Sequence, residues 1–123
     1  METKKEDNIV MYIILNSDLS MTKGKCVSQA CHVVQLITEK ILRSGYESDH
    51  IPEEYIIYKK WSLCPTKIVL KATTEQLIRL SKMDGASEMI DDGQTQVHPD
   101  SLTCVGFAPS NKLYDIMKDF KLL

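Results

Sequence analysis

Residues 9–15 read IVMYIIL, an unbroken apolar run between the charged and polar METKKEDN of residues 1–8 and a polar loop over residues 16–22. The run is short enough for a strand, and its lack of alternation predicts that both faces are buried. Strands of this kind lie inside sheets covered by helices. Over residues 23–44 the period changes. Val27, Ala30, Val34, Ile37 and Ile41 recur at steps of three and four, the spacing of one helix face, and Gly45 follows where a C-terminal stop is expected. On this reading Lys25, Gln29 and His32 cluster on the opposite, polar side.

Further along, strand and helix alternate again. Pro52 suits the first turn of a short helix, PEEYIIYKKW, and KIVLKA at residues 67–72 reads as a strand. Thr73 and Gln76 resemble a capping box opening a helix over residues 75–82, with Gly85 after it. Residues 87–90 are predicted as a short strand, 91–100 as a polar loop and 102–107 (LTCVGF) as another strand. Pro109, Ser110 and Asn111 then introduce a last helix with Leu113, Ile116, Met117 and Phe120 on one side. About four strands and three or four helices in this order predict an α/β layered fold around a mixed sheet.

Composition agrees with one globular domain. The chain has 123 residues, 43% hydrophobic and 26% charged, with 5 Gly and 4 Pro, which excludes collagen-like and disordered classes. Residues 1–8 are expected to form a short N-terminal tail and residues 9–123 the domain. No secretory signal is evident, and no apolar stretch approaches the roughly 20 residues that span a bilayer. A cytoplasmic, reducing setting with free thiols at Cys26, Cys31, Cys64 and Cys104 is the expectation. The net charge of −2 argues against a nonspecific nucleic-acid binder. The acidity is local, however: residues 72–101 hold 2 basic and 6 acidic side chains, the other 93 residues 13 and 11.

Two constellations could carry chemistry. Lys23, Gly24 and Lys25 open the long helix, where unpaired N–H groups and the helix dipole favour an anion. Asp91, Asp92, Gly93, Gln94, Thr95 and Gln96 follow a predicted strand directly. In layered α/β folds such strand ends converge on the binding crevice. The plain alternatives are a solvated helix stripe and an ordinary turn. Cys26 projects toward the edge of the apolar face and is expected to be buried and inert, away from His32. No CxxC pair or zinc spacing occurs, so no metal is expected. Trp61, beside Lys59 and Lys60, reads as a core or edge anchor.

The segment DLSMTKGKCVSQACH, residues 18–32, resembles the DLxMxKGKxxxQxxH signature of the archaeal and eukaryotic type of peptidyl-tRNA hydrolase, and DDGQTQVHPDSLTCVGFAP, residues 91–109, resembles that family's DAGxTQxxPGSxTVxGxGP block. WSLCPTKIVLKA and the final helix ending in KLL are similar too, so the likeness spans about residues 9–123. It implies a single three-layer α/β domain with a mixed four-stranded sheet flanked by helices. It also implies a homodimer, no metal or other cofactor, and hydrolysis of the ester joining a peptide to the 3′ end of tRNA. By motif position Lys25, Asp91 and Thr95 would be catalytic. Lys23, Gly24, Gln29, His32, Gly93 and Gln96 would be supporting or substrate-binding.

The ester chemistry suits these types: a carboxylate to activate water, a cation to stabilise the oxyanion. Lys25 and Asp91 could equally form an ion pair that positions one another. The sequence departs from the pattern at Asn16 and Gln94, where the family commonly has Arg, at Thr22 and Asp100, where it has Gly, and at Asp92, where it has a small residue. Several of these remove a cation or add an anion near the proposed site. Two other functional classes remain at this point: a noncatalytic tRNA- or protein-binding module of the same fold, and a hydrolase using a cysteine thiol.

Overall fold

The computed structural model describes residues 8–91 and 100–123. Its elements run β1 (Met11–Asn16), α1 (Lys23–Glu47), α2 (Glu53–Ser62), β2 (Lys67–Ala72), α3 (Thr74–Ser81), β3 (Ala86–Ile90), β4 (Leu102–Phe107), α4 (Tyr114–Met117) and β5 (Lys121–Leu122).

The apolar run is the middle strand, and every residue of β1 is buried. Alternation sends its side chains to two cores. Met11, Ile13 and Leu15, with Cys104, meet Val33, Ile37 and Ile41 of α1 and Trp61 of α2. Tyr12 and Ile14, with Leu70, Val105 and Phe107, meet Leu77 and Leu80 of α3 and Met117 of α4. The result is the expected three layers. The sheet order is β3-β4-β1-β2-β5. β1 pairs parallel with β2, and the other pairings are antiparallel, so the sheet is mixed.

Among the described residues five strands form the sheet, not four. The additional strand, β5, is a two-residue stretch that pairs Leu122 with Leu70 and Lys121 with Lys71. Backbone hydrogen bonds suffice for so short a strand, so no apolar alternation marks it in the sequence. The last helix is correspondingly brief: α4 is one turn, with Met117 buried and Ile116 exposed. The capping box at Thr73 and Gln76 is present as expected.

α1 differs from the sequence reading in two ways. It passes through Gly45 and ends at Glu47. Gly45 is a packing position, because a Cβ there would lie 2.5 Å from the Tyr55 ring of α2. The helix is also turned about its axis: its buried line is Gln29, Val33, Ile37 and Ile41, whereas Val27 is 62% exposed. The cause lies at β4, where Gly106 lets α1 come so close that an added Cβ would sit 2.8 Å from Ile37 Cδ1 and 3.1 Å from Val33 Cγ1. α1 therefore rests on β4 and β3 more than on β2, and Val27, Ala30 and Val34 flank an open apolar groove with Val69, Leu122 and Leu123. Among the described residues no helix is long and apolar enough to cross a membrane.

Candidate active site

β1, β2 and β3 all run in one direction, so Asn16, Ala72 and Ile90 end at the same rim of the sheet. Ligands of open α/β sheets bind outside such carboxyl ends. The loop after β1 carries the chain to α1, whose N-cap is Thr22: its side chain accepts a hydrogen bond from the Lys25 N–H at 3.2 Å. Threonine at this family-glycine position thus supplies a cap. The third residue of the helix is Lys25, whose Nζ donates to Asp91 Oδ1 at 2.9 Å, with the two side chains only 10% and 4% exposed.

Physical chemistry makes that pair notable. A cation in the first turn of a helix opposes the dipole, and a carboxylate beside it offsets the cost. A salt bridge withdrawn from water brings little net stability, because desolvation cancels most of the attraction. Its position at the rim of the sheet therefore speaks for chemistry more than for stability.

Asp91 is itself fixed by the backbone. Its N–H donates to Ser101 O at 2.9 Å, and its carbonyl accepts from the Asp100 N–H at 2.7 Å. Asp100 adopts φ 66°, the left-handed region. Aspartate is among the few non-glycine residues that enter this region readily, so the departure from glycine keeps the turn.

One turn after Lys25, Gln29 is 5% exposed, against the expectation that it lies on a polar outer side. Its Oε1 accepts a hydrogen bond from Thr103 Oγ1, which also lies 3.0 Å from the Met89 carbonyl. A carboxamide tolerates burial once its hydrogen bonds are met. Thr103, fully buried on β4, is a residue the sequence reading missed. The available signal was a single hydroxyl within the otherwise apolar LTCVGF. Together Gln29 and Thr103 tie α1 to β3 and β4 one helical turn after Lys25.

A second cluster closes the rim beneath. Asn16, 3% exposed, donates through Nδ2 to Thr74 Oγ1 and to Leu102 O, each at 2.8 Å, and accepts from the Asp18 N–H at 2.8 Å. Asp18 Oδ2 in turn accepts from the Thr74 N–H at 2.8 Å. Neither Asp18 nor Thr74 entered the sequence-based site.

Several expected members stand elsewhere. Lys23 and Gly24 are exposed, and no atom approaches within 4 Å of a Cβ built on Gly24. His32 is exposed, with Nε2 3.3 Å from Ser28 Oγ. Gly93, Thr95 and Gln96, with Asp92 and Gln94, lie outside the described residues. Cys26 is half-buried, not buried as expected, and its Sγ lies 4.0 Å from the Met21 carbonyl. Burial pushes the Cys104 thiol from 9.0 up to about 12, which keeps it protonated and unreactive at neutral pH. Among the described residues no hydrogen bond joins a cysteine to a histidine, and the reading as a thiol hydrolase gains no support from them. Among the described residues no group of three or more His, Cys, Asp or Glu is placed to hold a metal ion.

Comparison with known proteins shows a match of residues 9–123 to the family model "Peptidyl-tRNA hydrolase PTH2". The peptidyl-tRNA hydrolase of Methanococcus vannielii is 32% identical over 120 residues, covering 90% of this chain and 96% of that protein. That of Methanococcus maripaludis is 34% identical over 121 residues, with the same coverage. That of Saccharolobus islandicus is 31% identical over 128 residues, covering 94% of this chain and 99% of that protein.

Proposed function

Because the chain belongs to the peptidyl-tRNA hydrolase family whose model spans residues 9–123, we propose that Lys25 and Asp91 are the pair with which it hydrolyses the ester between peptide and tRNA. The activity is that of the family; the assignment of roles rests on the 2.9 Å contact between Lys25 Nζ and Asp91 Oδ1 at the rim of the sheet.

In the reaction a water oxygen bonds to the ester carbonyl carbon while its proton passes to a base. The negative charge gathers on the former carbonyl oxygen. The bond to the ribose oxygen then breaks, and that oxygen takes up a proton. Peptide carboxylate and free tRNA leave. Asp91 is suited to orient the water and accept its proton, and Lys25 to stabilise the oxyanion with help from the N–H groups at the start of α1. Before substrate arrives, each holds the other in place. Thr95, assigned by motif position, is the partner of Asp91 in binding the water. Gln29 keeps the turn of α1 that carries Lys25 against β4, and Lys23, Gly24, His32, Gly93 and Gln96 are left with contacts to substrate.

The protein works in the cytoplasm on this reading, since its substrate arises in translation. It acts as a homodimer built on the open groove beside α1, a place supported by the exposure of Val27 at 62%, Leu122 at 71% and Leu123 at 59%.

Kinetics on a purified peptidyl-tRNA test the assignment. Lys25→Ala and Asp91→Asn are each expected to lower kcat/KM by about a hundredfold or more. Turnover close to that of the parent chain in both variants overturns it. A noncatalytic module would show no turnover for the parent chain at any enzyme concentration.

A further inference from the structure

Among the described residues β3 lies at the margin of the sheet, bonded to β4 on one side. Which of its backbone groups face outward follows from parity. Gly85 accepts from the Ala108 N–H at 3.1 Å, and Asp91 donates to Ser101 O at 2.9 Å, so both turn their polar groups toward β4. In an antiparallel pair such groups alternate along the strand. The register shift between Met89 and Ile90 brings Ile90 opposite Leu102 after Met89 opposite Cys104, which places the extra residue, Thr103, on β4. The alternation along β3 is therefore unbroken. Ser87 and Met89 face β4 with Gly85 and Asp91, while the N–H and C=O groups of Glu88 and Ile90 face away from it. Ala86 also faces away, but its N–H is bonded to Met83 O at 3.2 Å. Glu88 is exposed, and Ile90 is 42% exposed.

We propose that this outer edge of β3 is the docking strand for the peptide of the substrate, which adds to the sheet as a parallel strand and carries its C-terminal ester to Asp91. The proposal rests on the reading of the chain as a peptidyl-tRNA hydrolase. Three considerations carry it. Asp91 directly follows Ile90, so the edge is continuous with the Lys25–Asp91 pair. A peptide released from any message has no constant side chain, and its constant feature is its amide backbone. Strand addition reads that backbone through main-chain hydrogen bonds. The direction is fixed as well: the ester ends the peptide, and β3 runs toward Asp91, so the two chains are parallel. The margin at β5 offers no such continuity, being across the sheet from β3.

Parallel pairing makes a periodic demand. Glu88 and Ile90 together offer two donors and two acceptors, and these reach alternate residues of the added strand. The test is an N-methyl scan across the last four residues of the peptide in synthetic peptidyl-tRNA, with the full, unaltered enzyme. Methylation at alternate positions is expected to lower kcat/KM by about tenfold, the effect of roughly one lost hydrogen bond, with little change at the positions between. A uniform loss, or indifference at every position, overturns the proposal while hydrolysis of the unmethylated substrate keeps the family reading. If the unmethylated substrate is itself not hydrolysed, both fall.

Discussion

Asn16 stands where the family resemblance has an arginine, and its carboxamide points into the protein. It is 3% exposed and bonds Thr74, Leu102 and Asp18, joining the end of β1 to the starts of α3 and β4. In this chain the position is a clasp and not a surface cation. Asn16→Ala leaves those groups to find other partners and is expected to cost about 1–3 kcal/mol, read as a lower midpoint in denaturant unfolding. An unchanged midpoint would show the cluster to be slack. At this scale Lys25 and Asp91 were legible because the resemblance named them and because each sits at the end of an element. Gln29 and Thr103 were not. A glutamine within an apolar helix reads as a surface residue unless its partner is known, and that partner is 74 positions away in the chain.

Among the elements, α1 shows why periodicity identifies a helix more reliably than it orients one. The apolar residues of α1 cover more than one face, and either arc could have been the buried one. Contact with Gly106 decides between them, since only a residue without a side chain lets Val33 and Ile37 approach β4 so closely. Gly106→Ala is expected to push α1 outward, destabilising the fold by about 1–3 kcal/mol as overpacked sites do. Because Lys25 rides on the same helix, kcat/KM on peptidyl-tRNA should fall too, although the substituted residue is deep in the core. Stability lost with catalysis intact would mean that Lys25 reaches Asp91 independently of how α1 is seated. β5 was illegible for a different reason: a strand of two residues has no period to read.

For the whole molecule the alternation of strand and helix was legible from the start, since a strand buried on both faces requires layers above and below it. The lopsided seating of α1 was not, and it leaves the half of the sheet near β2 and β5 with an apolar groove open to solvent. Contiguous apolar surface of this kind marks interaction sites. Sedimentation analysis is expected to find dimers, and Val27→Asp, which places a charge in the groove, is expected to give monomers. Dimers that persist in that variant would move the interface elsewhere.

The order of the sheet also governs when the protein can begin to act. β4 lies between β3 and β1, yet it is synthesised after both. Until residues 102–107 have emerged and settled against β1, β3 has no neighbour, and Asp91 has neither Asp100 nor Ser101 to fix it. Lys25, made 66 residues before Asp91, meets no fixed counterpart until then. A growing chain of this protein is itself an ester of tRNA, the very bond the finished protein cleaves. The topology therefore withholds the site from a growing chain until the strand that fixes Asp91 has been made.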